Sequence, residues 1–563
     1  MKVIIVGGVA GGATAAARIR RLDEHAEITV FERSGYISYA NCGLPYYIGD
    51  VITDPEELTL QTPESFFKRF RINMKIHHEV ISIHPERKTV SVKNLENGEI
   101  FEENYDKLIL SPGAKPTQPR LPGVGMDKLF TLRTVEDTFR IKEYINKNHP
   151  KSAVLAGGGF IGLELAENLR ELGMDVTIVQ RPKQLMNPFD PDMASMIHNE
   201  MRKHGIKLVL GYTVEGFKEK DNGVEVLLKD NPSLQADMVV LAIGVTPDTA
   251  LAKEAGLELG IKGSIVVNDR METSVPDIYA AGDAVQVKHY VTGDDALISL
   301  AGPANKQGRI IADNICGGDS RYLGSQGSSV IKVFDITAAT TGINETNAKK
   351  SGLEVDTVIL SPMSHAGYYP GGKVMTMKVV FEKETYRLLG AQIIGYEGVD
   401  KRIDVLATAI HAGLKATQLK DLDLAYAPPY SSAKDPVNMA GFMIDNIAKG
   451  TLKQWHLEDM DKISKDKSVV LLDVRTVGEF NRGHMDGFRN IPVDELRERI
   501  NEIEKGKPVY LICQSGLRSY IASRILEGNG YETYNFSGGF RFYDAVVNDR
   551  ALIERAYACG MDY

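Results

Sequence analysis

Cysteine is scarce in this chain, and no cysteine pair is spaced to form a local dithiol. Four cysteines occur in 563 residues, at positions 42, 316, 513 and 559. Residues 43–47 read Gly-Leu-Pro-Tyr-Tyr, so Cys42 has no nearby cysteine with which to form a disulfide. This wide spacing excludes a disulfide framework and is typical of a reducing compartment, so we expect a cytoplasmic protein.

Long apolar runs and basic runs are also missing. No apolar stretch approaches the ~18 residues of a membrane span. The net charge is -9, with no basic cluster of the kind that binds nucleic acid. We therefore expect neither a membrane nor a nucleic acid as a partner. The length exceeds what one hydrophobic core supports and predicts three to four domains.

The N-terminus has the pattern of a dinucleotide-binding unit. A short apolar strand at 3–6 precedes a glycine-rich turn and a helix, and Glu32 ends the next strand about twenty residues later. Such a turn lets the backbone approach a pyrophosphate, and the helix N-terminus offers N–H donors. Val9 replaces the second glycine of the pattern. The predicted cofactor-binding residues are Gly7, Gly8, Ala10, Gly11, Gly12 and Glu32.

A second, more regular copy begins near residue 153. Gly157, Gly159 and Gly162 follow the pattern, and the next strand ends at Gln180. An NAD site usually has an acidic residue at that strand end, whereas Gln180 followed by Arg181 could tolerate a 2′-phosphate. The sequence thus predicts a second dinucleotide site and leaves both NADH and NADPH open.

Three further motifs resemble those of the pyridine nucleotide–disulfide oxidoreductases. Residues 273–284 resemble the second flavin motif of that family, and 110–114 and 242–247 resemble its two crossover motifs. The resemblance implies an α/β fold with two Rossmann-like domains, one for FAD and one for NAD(P). It also implies that Asp283 binds the flavin's ribityl chain and that a helix opened by Asn305 faces the flavin. Gly113 and Gly244 are the crossover glycines that we include among the cofactor-binding residues.

The lone Cys42 selects the single-cysteine branch of this family. A lone thiol stores oxidising equivalents as a sulfenic acid, a mixed disulfide or a persulfide. Peroxidases of the branch have a histidine in the first glycine loop, where this chain has Val9 and Ala10. The helix that follows is similar instead to that of the coenzyme A disulfide reductases. By position, the implied CoA-binding residues are Thr14, Arg18, Arg21, Ser38 and Asn41.

The segment 326–447 is interpreted as a mixed α/β dimerisation domain. The CoA reductases resemble this chain in two tyrosine-containing segments, which include residues 367–372 and 425–430. The resemblance implies that Tyr368 and Tyr426 act as hydrogen-bond donors to a leaving thiolate, with Tyr369 and Tyr430 as near alternatives. Because the family supplies this group from the partner subunit, we expect a homodimer.

The C-terminal region resembles a single rhodanese domain. Its order is Asp-Val-Arg at 473–475, Gly-His at 483–484, Cys-x5-Ser from Cys513, and Gly-Gly-Phe at 538–540. A loop that runs from Cys513 into a helix directs N–H groups at the sulfur and would stabilise a thiolate or persulfide anion, and Arg518 adds a cation. A phosphatase or arsenate reductase loop looks similar, but the flanking motifs favour sulfur transfer. Asp473 and Arg475 are interpreted as scaffold, and His484 as a loop cap.

The predicted domains follow from these motifs. They are an FAD-binding domain at 1–112 and 248–325, an NAD(P)-binding domain at 113–247, a dimerisation domain at 326–447, a linker at 448–464 and a rhodanese domain at 465–563.

As a whole the chain resembles fused coenzyme A disulfide reductase–rhodanese proteins. This implies an NAD(P)H-dependent flavoenzyme with FAD and coenzyme A, which reduces CoA persulfide, polysulfide or CoA disulfide and releases hydrogen sulfide or free CoA. Cys42 is the predicted redox centre and Cys513 the sulfur carrier. One alternative is an NADH oxidase or peroxidase with a rhodanese appendage. A second alternative is a non-enzymatic redox sensor. We expect no metal, and the sequence assigns no role to Cys559.

Overall fold

The computed structural model describes residues 1–220 and 223–558, so Cys559 lies outside the described residues. The chain divides into two compact units. Unit 1 comprises residues 1–182 and 206–327, and unit 2 comprises 183–205 and the residues from 328 onward. Helices and strands are numbered along the whole chain.

Unit 1 contains twenty strands and seven α-helices among its described residues. The strands are β1 (Lys2–Val6), β2 (Glu27–Phe31), β3 (Asn73–Lys75), β4 (His78–His84), β5 (Thr89–Asn94), β6 (Ile100–Asn104), β7 (Lys107–Leu110), β8 (Ala114–Pro116), β9 (Leu129–Thr131), β10 (Ser152–Ala156), β11 (Asp175–Gln180), β12 (Lys207–Leu210), β13 (Val214–Lys220), β14 (Gly223–Leu228), β15 (Asn231–Ala236), β16 (Met238–Leu241), β17 (Val245–Pro247), β18 (Ile278–Ala280), β19 (Val287–Lys288) and β20 (Asp295–Ala296). The helices are α1 (Ala10–Leu22), α2 (Leu44–Ile48), α3 (Pro63–Phe70), α4 (Val135–Asn148), α5 (Phe160–Glu171), α7 (Ala250–Glu254) and α8 (Ala301–Ile315).

Two five-stranded parallel sheets form the centre of unit 1. The first has the order β18-β7-β1-β2-β3 and the second β12-β11-β10-β16-β9. The antiparallel pair of β8 and β17 contains the two segments by which the chain passes between them. In each sheet a glycine-rich turn connects the central strand to a helix, β1 to α1 in the first and β10 to α5 in the second, as in a Rossmann-like βαβ unit. The predicted pair of Rossmann-like domains is therefore confirmed.

The central strands are apolar because parallel sheets are covered on both faces. In β1 and β10 every residue from the second onward is buried. The packing helix α1 buries small residues, including Ala13, Ala15 and Ala16, which allow it to lie close to the sheet. It also lies close to α8, since a Cβ atom at Gly308 would be 2.4 Å from the Gly11 carbonyl oxygen.

Unit 2 contains ten strands and eight α-helices among its described residues. The strands are β21 (Ser329–Val333), β22 (Ile336–Gly342), β23 (Val355–Leu360), β24 (Met375–Glu382), β25 (Leu388–Gly395), β26 (Gln454–Trp455), β27 (Val470–Asp473), β28 (Arg489–Asn490), β29 (Val509–Ile512) and β30 (Thr533–Phe536). The helices are α6 (Pro191–Lys203), α9 (Glu345–Lys350), α10 (Val399–His411), α11 (Pro436–Ala448), α12 (Met460–Ile463), α13 (Val477–Arg482), α14 (Leu517–Glu527) and α15 (Gly539–Ala558).

Each half of unit 2 has its own sheet. The antiparallel sheet β21-β22-β25-β24-β23 is covered by α10, and the parallel sheet β26-β30-β29-β27-β28 lies in the C-terminal region. Helix α6 belongs to this unit although it lies within the predicted NAD(P)-binding domain. Its buried neighbour Asp190 accepts a hydrogen bond from the Gln392 amide of β25.

The predicted linker 448–464 includes strand β26, which pairs with β30 of the C-terminal sheet. Trp455 in this strand is buried, packs against Phe536 at a ring-centroid distance of 4.4 Å, and donates its indole N–H to the Leu511 carbonyl at 3.3 Å. A two-residue strand is too short to give a periodic pattern, so the sequence showed only a polar segment.

The C-terminal sheet region is fastened to strand β23, which forms one edge of the antiparallel sheet. The Ile359 N–H of β23 donates to Ser537 Oγ at 3.0 Å, and the Gln454 amide donates to the Thr357 carbonyl at 2.8 Å. Gln454 also donates to Asp356 at 3.0 Å. Two backbone groups of this edge are thus paired by side chains of the C-terminal region. No helix within the described ranges has both the length and the apolarity needed to cross a bilayer.

Candidate active site

The first glycine-rich turn has the close backbone packing that a dinucleotide site requires. Gly7 has φ +97°, and a Cβ atom there would lie 2.1 Å from the Ser111 carbonyl oxygen. A Cβ at Gly12 would lie 2.0 Å from the Gly7 carbonyl. The Gly8 N–H donates to the Glu32 carboxylate at 2.9 Å, which orients the acid at the strand end. The residues present therefore fit FAD, with the N-terminus of α1 directed at the phosphate position.

The second turn repeats this arrangement. Gly157 has φ +121°, and a Cβ there would lie 2.2 Å from the Ala242 carbonyl oxygen. The Gly158 N–H donates to Gln180 Oε1 at 3.0 Å, so Gln180 occupies the place that Glu32 has in the first unit. No atom lies within 4 Å of a Cβ placed on Gly159, which leaves that face of the turn open to a ligand. These residues fit a second dinucleotide, NAD(P)H.

Asp283 lies in the short helical turn Gly282–Ala284 and forms an ion pair with Arg133 at 2.6 Å. Both side chains are less than one fifth exposed. The Arg133 guanidinium also lies near the crossover glycine, since a Cβ at Gly113 would be 3.7 Å from it. Gly244, the second crossover glycine, has φ +106°. Arg133 was not predicted from the sequence, because its partner is 150 residues away.

Cys42 lies in a helical turn, Asn41–Gly43, that continues into α2. Before it, Ser38 adopts a left-handed conformation (φ +45°), and its N–H donates to the Gly8 carbonyl at 2.9 Å. The Cys42 loop is thereby fixed to the first glycine-rich turn. Burial raises the pKa of the Cys42 thiol, Glu164 raises it further, and Arg133 acts in the opposite direction.

Of the expected CoA-binding residues, two are bonded to α8. Thr14 donates its hydroxyl to Asn305 Oδ1, and Arg18 Nε forms an ion pair with Asp313 at 2.8 Å. Arg21 is exposed. Asn305 does not open its helix as predicted: α8 begins at Ala301, and Asn305 lies one turn inside it.

The two predicted tyrosines lie together in unit 2. The Tyr368 and Tyr426 hydroxyl oxygens are 2.7 Å apart and share a hydrogen bond. Both rings are exposed, Tyr368 by 75% and Tyr426 by 46%. The hydrogen bond with Tyr368, followed by burial, raises the pKa of Tyr426. The near alternative Tyr369 stacks edge-on against His365 instead.

Cys513 follows β29 and lies fully buried at the start of the loop that leads into α14. Its sulfur accepts two hydrogen bonds, from the Gly516 N–H at 3.1 Å and from the Ser519 hydroxyl at 3.2 Å. Gly516 takes φ +98°, which turns its N–H toward the sulfur. Hydrogen-bond donors of this kind are the groups that favour negative charge on an acceptor.

Arg518 makes a bidentate ion pair with Glu479, with both N–O distances at 2.7 Å. The hydrogen bonds from Arg518 lower the pKa of Glu479 to about 2, against the effect of its burial. The guanidinium is thus shared with a carboxylate rather than directed at the sulfur alone. Arg475 is fully buried against Asp473, and His484 stacks on Phe480 and bonds its carbonyl, as expected of scaffold groups and a loop cap.

Within the described residues, one group of side chains has metal-ligand geometry, namely Glu200, His204 and Asp335, whose ligand atoms lie within 4.8 Å of one another. The Lys203 ammonium already pairs with Asp335 at 3.0 Å and with Glu200 at 3.3 Å. Because a lysine provides the counter-charge, this group supports no metal proposal.

Three contacts near the predicted site residues were not predicted from the sequence. Arg133 pairs with Asp283, Ser519 donates to Cys513, and Glu164 is hydrogen-bonded to Tyr46, four residues after Cys42. Ser519 was visible as the last residue of the Cys-x5-Ser motif. Glu164 had a weaker signal, an acidic residue on the apolar helix that follows the second glycine-rich turn.

Known protein families match three consecutive parts of this chain. Residues 1–308 match the pyridine nucleotide-disulphide oxidoreductases, residues 328–436 match the dimerisation domain of the same family, and residues 456–545 match the rhodanese-like domain. The chain therefore belongs to the pyridine nucleotide-disulphide oxidoreductase family and contains a C-terminal rhodanese-like domain. The family uses FAD and NAD(P)H, which confirms the two predicted cofactors.

Three similar proteins illustrate the relationship. The coenzyme A disulfide reductase of Staphylococcus aureus is 39% identical over 443 residues, which are 78% of this chain and 99% of that protein. The crystal structure of reduced Bacillus anthracis CoADR-RHD is 48% identical, with a TM-score of 0.95 and 98% of both chains covered. The NAD-dependent persulfide reductase from A. fulgidus is 39% identical, with a TM-score of 0.90 over 96% of this chain and 100% of that one.

Proposed function

We propose that this protein is an FAD-dependent NAD(P)H reductase of CoA persulfide, polysulfide and CoA disulfide, which releases hydrogen sulfide or free CoA. The observation behind the proposal is the lone Cys42, held by its loop against the first glycine-rich turn with no second cysteine in residues 43–47. Such a thiol exchanges with a small sulfur compound rather than with a neighbouring cysteine. The names of the Staphylococcus and A. fulgidus relatives support this substrate class.

The first step is thiol–disulfide exchange at Cys42. Its thiolate attacks CoA disulfide, forms a Cys42–S–S–CoA bond and expels one CoA thiolate. With CoA persulfide the same bond forms and hydrosulfide leaves. Reduction of the mixed disulfide then restores the Cys42 thiolate and frees CoA. The sums are CoA–S–S–CoA + NAD(P)H + H⁺ → 2 CoA–SH + NAD(P)⁺, and CoA–S–SH + NAD(P)H + H⁺ → CoA–SH + H₂S + NAD(P)⁺.

The two glycine-rich turns would hold the two cofactors. Bound FAD would supply the chemistry that accepts a hydride from NAD(P)H and passes the electron pair to sulfur. Gly7, Gly12, Glu32 and Asp283 would hold FAD in the first half of unit 1. The residues that would hold NAD(P)H in the second half are Gly157, Gly159, Gly162 and Gln180. Gln180 accepts a backbone N–H as Glu32 does, and this arrangement is compatible with either nicotinamide nucleotide.

The tyrosine pair is assigned to the leaving sulfur. Two hydrogen-bonded hydroxyls, one of which is free to donate outward, can protonate or bind a departing CoA thiolate. In this family the group at that position comes from the partner subunit, and residues 328–436 match the dimerisation domain. We therefore infer a homodimer in which Tyr368 and Tyr426 of one subunit serve the Cys42 of the other. Thr14, Arg18, Arg21, Ser38 and Asn41 are assigned to CoA.

Cys513 is assigned to sulfane sulfur. It would receive a sulfur atom from polysulfide as Cys513–S–S⁻ and pass it to CoA, so that Cys513–S–S⁻ + CoA–SH → Cys513–S⁻ + CoA–S–SH. The Gly516 N–H and the Ser519 hydroxyl stabilise the sulfur anion. This transfer produces the CoA persulfide that Cys42 reduces. The few, widely spaced cysteines are consistent with a reducing, cytoplasmic setting.

The test is anaerobic NADH and NADPH oxidation with two acceptors, CoA disulfide and polysulfide plus catalytic CoA, with hydrogen sulfide measured in parallel. We expect stoichiometric sulfide release that depends on CoA. Cys42→Ser should abolish both reactions, whereas Cys513→Ser should lower only CoA persulfide formation from polysulfide. Cys316→Ser is the matched control, because Cys316 caps the end of α8. NADH consumption only with oxygen or peroxide would instead identify an oxidase or peroxidase.

A further inference from the structure

Two arginines that border the Cys513 loop are already paired with carboxylates. The first, Arg518, directly precedes Ser519, whose hydroxyl donates to the Cys513 sulfur at 3.2 Å in the first turn of α14. Its guanidinium donates to both carboxylate oxygens of Glu479 at 2.7 Å. The Arg518 and Glu479 side chains are 31% and 21% exposed, so the pair borders solvent. A bidentate pair occupies two N–H groups and offsets the positive charge, which leaves less of this cation for an anionic substrate.

The second arginine, Arg475, is used inside the domain. It is fully buried and donates to Asp473 and to the Gly483 carbonyl, both at 2.7 Å. Its guanidinium carbon lies 3.8 Å from the centroid of the Phe540 ring. One long hydrogen bond, at 3.4 Å, reaches Gln514 Oε1 of the loop. This guanidinium therefore supports the loop from within and offers little to a molecule that arrives from solvent.

The exposed side chains next to the outer ion pair are apolar. Leu517, which precedes Arg518, is 59% exposed, and Val477, two residues before Glu479, is 53% exposed. Hydrogen bonds from Arg518 lower the pKa of Glu479 to about 2, so the carboxylate keeps its charge at neutral pH. Because Cys513 is fully buried, a sulfur donor must present its terminal sulfur to the loop and leave its body among these outer groups.

Sulfur donors differ in the charge that they bring to such a place. Thiosulfate carries two negative charges, and its sulfonate oxygens need cations or N–H donors when they lose water. It must also approach a thiolate of the same sign. An organic persulfide R–S–SH carries no sulfonate, and an apolar body can contact side chains such as Leu517. A loop whose outer arginine is held by a carboxylate therefore favours the persulfide.

We propose that Glu479 sets the sulfur-donor specificity of the rhodanese domain: by holding Arg518 it disfavours thiosulfate and leaves Cys513 to organic persulfides. The favoured step is Cys513–S⁻ + R–S–SH → Cys513–S–SH + R–S⁻, in which the donor's S–S bond breaks and its thiolate leaves. The disfavoured step is Cys513–S⁻ + S₂O₃²⁻ → Cys513–S–S⁻ + SO₃²⁻. The inference rests on the proposed function, because it takes Cys513 as the sulfur carrier. Glu479 is a positioning residue, since it acts through Arg518.

The experiment measures single-turnover loading of Cys513 in the full-length, flavin-loaded protein, under anaerobic conditions and without NAD(P)H. The donors are thiosulfate and N-acetylcysteamine persulfide, whose body is uncharged. Peptide mass spectrometry after alkylation gives the fraction of Cys513 that has gained one sulfur atom. The wild type should load faster from the persulfide. Glu479→Gln should raise the thiosulfate rate about 10–100-fold and the persulfide rate no more than about 3-fold, because charged N–H donors become available to the sulfonate.

The substitution is chosen to preserve the local fold. Glu479 also completes the capping box with Thr476 at the start of α13, and glutamine serves in such a box as glutamate does. Melting temperature verifies that each variant is folded. Glu498→Gln, an exposed change of the same charge in the same domain, should leave both rates unchanged. Addition of Arg518→Gln to Glu479→Gln should return the thiosulfate rate to the wild-type value.

Three results would overturn the proposal. The first is an unchanged thiosulfate rate in Glu479→Gln, and the second is a gain that persists after Arg518→Gln is added. The third is a gain that disappears with Arg541→Gln, since Arg541 is an exposed arginine whose backbone N–H donates to the Gln514 carbonyl at 3.2 Å. No loading from either donor would refute the carrier role of Cys513 as well. Turnover of Cys42→Ser tests the reductase part of the proposed function separately, because loading of Cys513 requires no NAD(P)H.

Discussion

The hydrogen bond between Tyr368 and Tyr426 makes a quantitative prediction about catalysis. Their hydroxyl oxygens are 2.7 Å apart, so only one of the two protons is directed at the partner and the other is free to reach a leaving sulfur. A hydrogen bond to a charged group contributes ~1.5–3 kcal/mol. Tyr368→Phe or Tyr426→Phe should therefore lower kcat/KM for CoA disulfide by about 10–150-fold.

The double variant separates a working pair from two independent groups. If the two hydroxyls act as one donor chain, loss of either one breaks the chain, and Tyr368→Phe with Tyr426→Phe should cost little more than the larger single effect. The coupling energy in the cycle should then fall within the ~0.5–3 kcal/mol typical of residues in one hydrogen-bond network. The assay is anaerobic NADH oxidation with CoA disulfide at subsaturating concentration.

Tyr430→Phe and Tyr369→Phe are the matched controls. Tyr430 is 72% exposed, and Tyr369 packs against His365, so both variants should retain near-wild-type kcat/KM. Because the Tyr368 hydrogen bond raises the pKa of Tyr426, the effect of Tyr426→Phe should be constant from pH 6 to pH 9. Additive losses in the double variant, or a larger loss in Tyr430→Phe, would refute the assignment.

Two other predictions concern unit 2. Ser519→Ala removes one of the two hydrogen-bond donors to Cys513 and should slow sulfane transfer to cyanide about 10–100-fold while CoA disulfide reduction persists. Ser523→Ala on the same helix is the control. An unchanged rate in Ser519→Ala would contradict the role of Ser519 in stabilising the sulfur anion. Lys378 is buried against Asp190, Asp192 and Glu345, and Lys378→Met should lower the free energy of unfolding by ~3–5 kcal/mol. In the wild type, burial acts to raise the pKa values of Asp190 and Glu345, but Lys378, helped by hydrogen bonds from Thr346 and Gln392 to Asp190 and from Lys349 to Glu345, lowers them overall, so their contribution exists above the ordinary carboxyl range and is lost in acid. Without the Lys378 ammonium these hydrogen bonds oppose burial alone and both pKa values rise, so thermal unfolding should show a deficit that grows from pH 5 to pH 8; a deficit independent of pH would contradict this account.

Local patterns in the sequence predicted the parts of the site that depend on short stretches of backbone. Glycine is required at four positions because a Cβ there would meet a backbone oxygen at 2.0–2.2 Å, namely at Gly7, Gly12, Gly157 and Gly162. The spacing of these glycines is visible in the amino-acid sequence. The lone Cys42 and the loop from Cys513 were also local features. The fold and the family could be predicted from such local motifs, and both predictions are confirmed.

Pairings between distant residues could not be predicted in the same way. Arg133 and Asp283 are 150 residues apart, and Arg518 and Glu479 are 39 apart. Charged residues have many candidate partners along a chain, and only the tertiary fold selects one. The roles of individual site residues remain proposals, although the contact between Tyr368 and Tyr426 is observed.

The attachment of the C-terminal sheet to strand β23 has a practical consequence for dissecting this protein. The side chains of Gln454 and Ser537 pair with backbone groups of Thr357 and Ile359 along the outer edge of that strand. Truncation before residue 454 would uncover a β-edge with unpaired N–H and C=O groups, which is a template for intermolecular strand addition. The C-terminal region therefore covers part of this edge, and we expect a truncated chain to self-associate less when β23 carries a charged or proline substitution.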